Sequence, residues 1–426
     1  MPLTLGEGSE VRVRMDEAPA RKMTEPSGSG QRKTSGAAPE RRLPMPRRIK
    51  TKIRWFSVRQ GQDMTFLFLV LVLLAIGLIM MFSASYPSAY SETGDSLSYL
   101  KRQLLYAALG VGAMMFCSYL DYRKLKKFSY WILLLAILAL IGVLLVPSAT
   151  GVKRWIPLGP FSMQASEIAK LAVIIALAQW GTTHFKRMDT FLYGVMPPMI
   201  MFVVIALLLF LEPHYSGIVI IFLLVVLMMF VSGVKLRYFF IGFGLIGVVV
   251  IGLAITGQLG YAMTRMAGWG QALIYTNDQL WQDTYQTRNS LYAIGSGGFW
   301  GLGLGQSRQK YLYIPEVQND FVFAVVCEEL GFIGAAIILC LFALLVWRGI
   351  TISMRAKDRF GSLLGIGLSA QIGLQVILNI MVITDWLPNT GISLPFFSFG
   401  GSSLIMLLAQ MGIVLSISRS ATLERA

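Results

Sequence analysis

Ten stretches of the chain are almost continuously apolar: residues 64–84, 103–120, 129–147, 166–182, 191–211, 217–233, 238–256, 320–347, 361–383 and 400–418. Each is close to or above the roughly 20 residues that a helix needs to cross a bilayer. Lipid offers backbone groups no hydrogen bonds, so runs of this length predict helices packed as a bundle; the short alternating segments of a β-barrel are absent. The expected fold is an all-α integral membrane protein of ten transmembrane helices. A large extracytoplasmic loop is expected between helices 7 and 8, and both termini are expected in the cytoplasm.

The orientation comes from the distribution of cations. Residues 1–60 hold 14 Lys and Arg against 6 Asp and Glu, and RKLKK (123–127), FKR (185–187), KLR (235–237) and RAKDR (355–359) are basic as well. Short basic loops stay on the cytoplasmic side, and these all fall on one side of the ten-span layout. The net charge of +15 then reflects topology and attraction to anionic lipid, not nucleic-acid binding. Residues 1–58, rich in Pro, Gly, Ser and Arg without periodicity, read as a disordered basic cytoplasmic tail. Residues 59–418 form the membrane domain, and 419–426 a short inner tail.

At 55% hydrophobic and 14% charged residues, the chain has more apolar surface than an aqueous core could cover. Cys117, Cys327 and Cys340 fall within the spans, and His184 and His214 are the only histidines. Those ligands are too few for a disulfide framework or a Cys/His zinc site, and no nucleophile elbow lies near either histidine. The cluster Gly295, Gly297, Gly298, Gly301, Gly303 and Gly305 imitates a dinucleotide fingerprint but follows no strand. Close packing or turns account for it better.

Against the inward bias, Lys101, Arg102, Lys153, Arg154, Arg265, Arg288, Arg308 and Lys310 fall on the outer side. As single residues they suit interfacial anchors or partners of local acids; as a group they suit a basic vestibule for phosphate. Three outer blocks carry further polar signals. In residues 151–173, Glu167 and Lys170 sit one helical turn apart, either as a cap and ion pair or as part of a cavity wall. In residues 309–331, Pro315 stops any earlier helix and Asn319 and Asp320 stand at a helix start, where a carboxylate caps free N–H groups. Glu328 and Glu329 follow deeper in that helix and need partners or protons. In residues 389–404, the Asn389-Thr390-Gly391 turn, Pro395 and the small residues from Gly400 to Ser403 suit a compact loop or a re-entrant segment.

KRWIPLG with SEIAK, YQTRNSL with AIGSGGFWGLGLGQS, PEVQNDFVFAVVCEELGFIG and TGISLPFFSFGGSSL, in this order over roughly residues 60–420, resemble the SEDS family of shape, elongation, division and sporulation proteins. QKYLYIPEVQNDF is more similar to the division-type members than to the elongation type or the sporulation paralogues. Asn289 and Phe399 stand where the family often has Gln and Tyr. The resemblance implies a peptidoglycan glycosyltransferase polymerising lipid II on the outer face of the cytoplasmic membrane, with septal synthesis expected. Its partners would be lipid II, the growing glycan strand, a class B penicillin-binding protein and other divisome membrane proteins. Asp320 matches the family's catalytic aspartate. The expected substrate-binding set is Lys153, Arg154, Glu167, Lys170, Arg288, Arg308, Lys310, Ser398 and Ser402. The sequence singles out no cofactor; a divalent cation, Mg or Mn, would find oxygen ligands in Glu316 and Asp283. A flippase for the lipid-linked precursor is the competing class; it needs charged groups along a path across the bilayer and repeated halves, neither of which the sequence displays.

Overall fold

The computed structural model describes residues 61–145, 155–158, 161–242, 244, 269–274 and 278–421. The expected tail 1–58, the cations Lys153, Arg154 and Arg265, and most of the stretch 238–256 lie outside the described residues. In chain order the elements are α1 (Met64–Thr93), α2 (Ser98–Tyr119), α3 (Arg123–Leu145), an antiparallel hairpin of β1 (Trp155–Leu158) and β2 (Phe161–Gln164), α4 (Ala165–Thr183), α5 (Phe191–Gly194), α6 (Met196–Leu211) and α7 (Tyr215–Ser232). There follow α8 (Asp278–Asp283), α9 (Tyr285–Gly297), α10 (Val317–Asp320), α11 (Val322–Met354), α12 (Arg359–Ile383) and α13 (Gly401–Ala421).

Among the described residues seven helices are long and apolar enough to cross a membrane: Met64–Thr93, Arg123–Leu145, Phe191–Leu211, Tyr215–Ser232, Val322–Met354, Arg359–Ile383 and Gly401–Ser420. The helices α2 and α4 coincide with two more of the expected runs but begin with charged residues, Lys101 and Arg102 in one and Glu167 and Lys170 in the other. The bundle pairs α13 with α2, α11 with α12, α3 with α4, and α1 and α9 with α11.

Lipid gives helices no hydrophobic reason to associate, so close approach has to come from small residues. On the α11–α12 seam, a Cβ on Gly349 would overlap Ser369, and one on Gly365 would overlap Ser353, so the two helices meet through reciprocal glycine–serine pairs. Polar caps fix the ends remote from Asp320. Asp63 accepts from the Phe66 N–H at 2.9 Å to start α1, and binds Arg348 of α11 at 2.7 and 3.2 Å. Asp358 caps α12 through the Gly361 N–H at 3.3 Å and also accepts from the Tyr122 hydroxyl.

The helix α11 is broken at Gly331 (φ 67°, ψ −170°), which separates a short outer half from the long span. The glycine-rich turn after α9 docks into that break. Leu302 and Gly303 donate their N–H groups to the carbonyls of Glu328 and Glu329 at 2.9 and 3.0 Å, while Phe332 and Ile333 donate to Gly298 and Phe299 at 2.9 and 3.2 Å. A Cβ on Gly297, Gly301 or Gly331 would run into the facing main chain. The glycine cluster thus serves backbone-to-backbone packing, which satisfies the carbonyls and amides freed by the break.

Gly331→Ala should lower stability by on the order of 3 kcal/mol, because a left-handed conformation and a main-chain overlap combine. Gly298→Ala, at φ 53° but with open space around it, should lose only about 1 kcal/mol. Thermal unfolding of the two purified variants checks this; equal losses would contradict the docking.

Candidate functional site

A cavity of about 810 Å³ opens among one set of helix ends, and Asp320 lines it. Its wall comes from Arg102 and Tyr106 of α2, the hairpin residues Trp155 and Gln164, Ser166, Glu167 and Lys170 of α4, His214 ahead of α7, Gln375 of α12, and the segment from Gly391 to Ser403. Residues far apart in sequence therefore converge on one space, and they carry both charge signs.

Glu167 and Lys170 form a buried ion pair of 2.7 Å along one face of α4. The pair braces the first turn of the helix without capping it, and both residues line the cavity. The mutual neutralisation matters in a space of low dielectric, where either charge alone would be strongly unfavourable. Asp320 ends α10, and Phe321, one residue on, occupies the N-cap position of α11 with no side-chain cap. Asp320 is partly exposed and borders the cavity, so the simple N-cap role expected from sequence falls to a residue that cannot perform it.

The segment between α12 and α13 is irregular, and its residues Ile392, Leu394, Phe396, Phe397 and Ser398 are buried. It is held against the bundle by polar bonds. The fully buried Gln103 of α2 donates Nε2–H to the Ser398 carbonyl at 3.2 Å and accepts from the Gly400 N–H at 3.3 Å. Ser398 Oγ accepts from the Leu394 N–H at 2.7 Å, and the Phe399 N–H bonds the Gln318 carbonyl at 2.8 Å. Ser402 Oγ accepts from the Gln164 N–H at 3.1 Å, tying the hairpin to α13. Ser398 and Ser402 hence shape the wall from behind, and the serine facing the cavity from α13 is Ser403. The Phe399 ring sits edge-on to Tyr99 at 4.7 Å. Burial first, then a hydrogen bond to Glu92, pushes the Tyr99 hydroxyl up to about 12, which keeps it neutral.

Two of the expected cations, Arg288 and Lys310, are employed elsewhere. Arg288 is buried on α9, donates to the Trp281 carbonyl at 2.8 Å and lies 3.5 Å over the Trp281 ring. Lys310 is 0% exposed and bonds Glu329 at 2.8 Å, while Ser83 Oγ donates to the same carboxylate at 2.7 Å. Glu328 accepts from the Ser307 hydroxyl and from the N–H groups of Arg308 and Gln309. The deep acids of α11 accordingly have their partners. They anchor the strap of residues 306–316 that leads to Asp320, along which the Arg308 side chain is exposed. Neither Arg288 nor Lys310 lines the cavity; a count of outer cations could not show that their counterparts lie within the protein. Asn289, in place of the more frequent Gln, supports the same strap by donating to the Tyr313 carbonyl at 2.9 Å.

Arg102, one of the outer cations but not in the expected binding set, faces the cavity. As for a metal, Glu316 already accepts from the side-chain amides of Gln318 and Asn319 at 3.1 and 2.9 Å, and no three His, Cys, Asp or Glu side chains group together among the described residues. One oxygen of Glu316 is thus already engaged by two side-chain amides.

Residues 64–423 match the model of the FtsW/RodA/SpoVE family, described as cell cycle proteins. Stage V sporulation protein E of Bacillus subtilis is 39% identical over 369 residues, covering 85% of this chain and 98% of the relative. A probable peptidoglycan glycosyltransferase FtsW of Geobacter sp. (strain M18) is 35% identical over 370 residues, covering 84% and 97%. Among solved structures, a chain of a peptidoglycan synthase complex that coordinates polymerization and crosslinking superimposes with a TM-score of 0.70 at 27% identity, covering 85% of this chain and 98% of the other. The rod shape determining protein RodA of Thermus thermophilus follows with a TM-score of 0.60 at 26% identity and the same coverage. With nearly the whole membrane-embedded part of the chain matched, and the helical fold shared, the protein belongs to the FtsW/RodA/SpoVE family of cell cycle proteins.

Proposed function

We propose that this protein is a peptidoglycan glycosyltransferase that polymerises lipid II on the outer face of the cytoplasmic membrane, with Asp320 as general base. The observation that carries this is a carboxylate facing a large polar cavity at the outer helix ends. In the reaction the acceptor's sugar 4-hydroxyl attacks the donor's anomeric carbon while Asp320 removes the hydroxyl proton. The bond from that carbon to the diphosphate breaks, configuration inverts, and undecaprenyl diphosphate leaves. General-base help is worth about 10²- to 10⁴-fold.

The departing diphosphate needs cations fixed beforehand. Among the described residues Arg102 borders the cavity without an ion pair, whereas Lys170 is engaged by Glu167. Lys153 and Arg154 remain in the proposal because the next residue, Trp155, lines the cavity. Arg308 is held at the outer strap with its side chain exposed. The layout is ten spans with both termini inside, and the location is the inner membrane at the division septum. The division and sporulation names among the relatives favour those roles over elongation. The proposed partners are a class B penicillin-binding protein as transpeptidase and other divisome membrane proteins; the synthase complex among the structural neighbours supports the first.

Glycan formation from purified lipid II by the protein reconstituted with its transpeptidase should vanish in Asp320→Asn at matched folding and partner binding. Equal polymer from both forms would remove Asp320 as the base. No polymer from either, with lipid transport intact, would favour a flippase instead. Arg102→Gln should weaken apparent lipid II affinity roughly tenfold, as expected for one lost charge-assisted bond at a partly wet site. An unchanged KM and kcat would take Arg102 out of diphosphate binding.

A further inference from the structure

The short segment that carries Asp320 has little stiffness of its own. The helix α10 is four residues long, it follows the left-handed Glu316 (φ 50°), and the strap before it is irregular. A single helical turn is not self-supporting, so the position of Asp320 has to be imposed by its neighbours.

Asn379 imposes it from α12. The side chain is 1% exposed, and Nδ2 donates to the Asp320 carbonyl at 2.8 Å and to the Ile392 carbonyl at 2.6 Å. Two carbonyl oxygens facing one amide atom require that atom to be the amino nitrogen. The bond pair clamps the Asp320 main chain to the buried segment between α12 and α13, parallel to the Phe399–Gln318 bond described above. From the opposite side, Gly391 (φ 66°) lets the carboxylate lie against its α-carbon, for a Cβ there would sit 2.8 Å from Asp320 Oδ2.

The other amide atom, Oδ1 of Asn379, is buried and has no partner among the described residues. A half-satisfied amide in an apolar helix is a poor choice for stability alone. We infer that Asn379 is a positioning residue: together with the missing side chain at Gly391 it sets where the Asp320 carboxylate stands in the cavity, without itself touching substrate. The inference rests on Asp320 being the base.

Displacing a base by about 1 Å costs on the order of 100-fold in rate. In reconstituted full-length protein, Asn379→Leu, close to isosteric and apolar, should lower kcat by roughly 10- to 100-fold with KM for lipid II within about twofold. Its thermal midpoint should fall by only a few degrees, because two carbonyls lose a donor while the unpartnered Oδ1 is removed. Gly391→Ala should give the same split from the other side of the carboxylate, without altering α12. Gly94→Ala serves as control, since Gly94 shares the left-handed conformation (φ 70°) but has nothing within 4 Å of an added Cβ; it should leave turnover intact. Unchanged kcat in both Asn379→Leu and Gly391→Ala, or a loss that appears in KM alone, would overturn the positioning role while Asp320→Asn remained inactive. An active Asp320→Asn would instead overturn the reading of the base, and the clamp with it.

Discussion

Two adjacent glutamates, Glu328 and Glu329, hold the Asp320 end of this protein together. They sit deep in the short half of α11, where an unpaired carboxylate would be strongly unfavourable. That unfavourable alternative is what enforces the architecture around them. Glu329 draws in Lys310 and Ser83, so the strap is fastened to α1; Glu328 gathers a hydroxyl and two main-chain amides from the same strap. Their own carbonyls, freed by the break at Gly331, take the amides of the glycine turn. One short stretch of helix thus fastens three separate pieces of chain, and Asp320 stands at its outer end.

Much of the bundle was legible because hydropathy at membrane length has few alternative explanations. The need for partners at Glu328 and Glu329 followed from burial alone, and the glycine cluster read as packing because no strand preceded it. The use of Arg288 and Lys310 was not legible. Whether a cation meets an internal acid or an external anion depends on how the chain folds back, and Glu329 lies 19 residues from Lys310. Nor could sequence pick Arg102 from its neighbour Lys101, which pairs with Asp95 at 2.7 Å outside the cavity.

Asn379 shows the same limit from another direction. A lone asparagine in an apolar helix is common enough to pass unnoticed, and only the two carbonyls converging on it reveal a task. Gln103 is a similar case in α2. Both residues spend their hydrogen bonds on irregular main chain, which tells where the bundle departs from plain helix packing. Polar residues inside the spans thus mark the joints of the outer architecture, whereas the glycine–serine seam between α11 and α12 keeps the other end tight.

The size of the cavity limits what it can contain. At about 810 Å³ it is within the usual range for a site that encloses a ligand of drug-like dimensions. A few sugar rings fit in that space, while a long polyprenyl chain or a lengthening polysaccharide does not. On the proposed chemistry the lipid tails stay in the bilayer, and every added unit has to expel an earlier one. On that chemistry the cavity is a place of transit for the strand, not of storage.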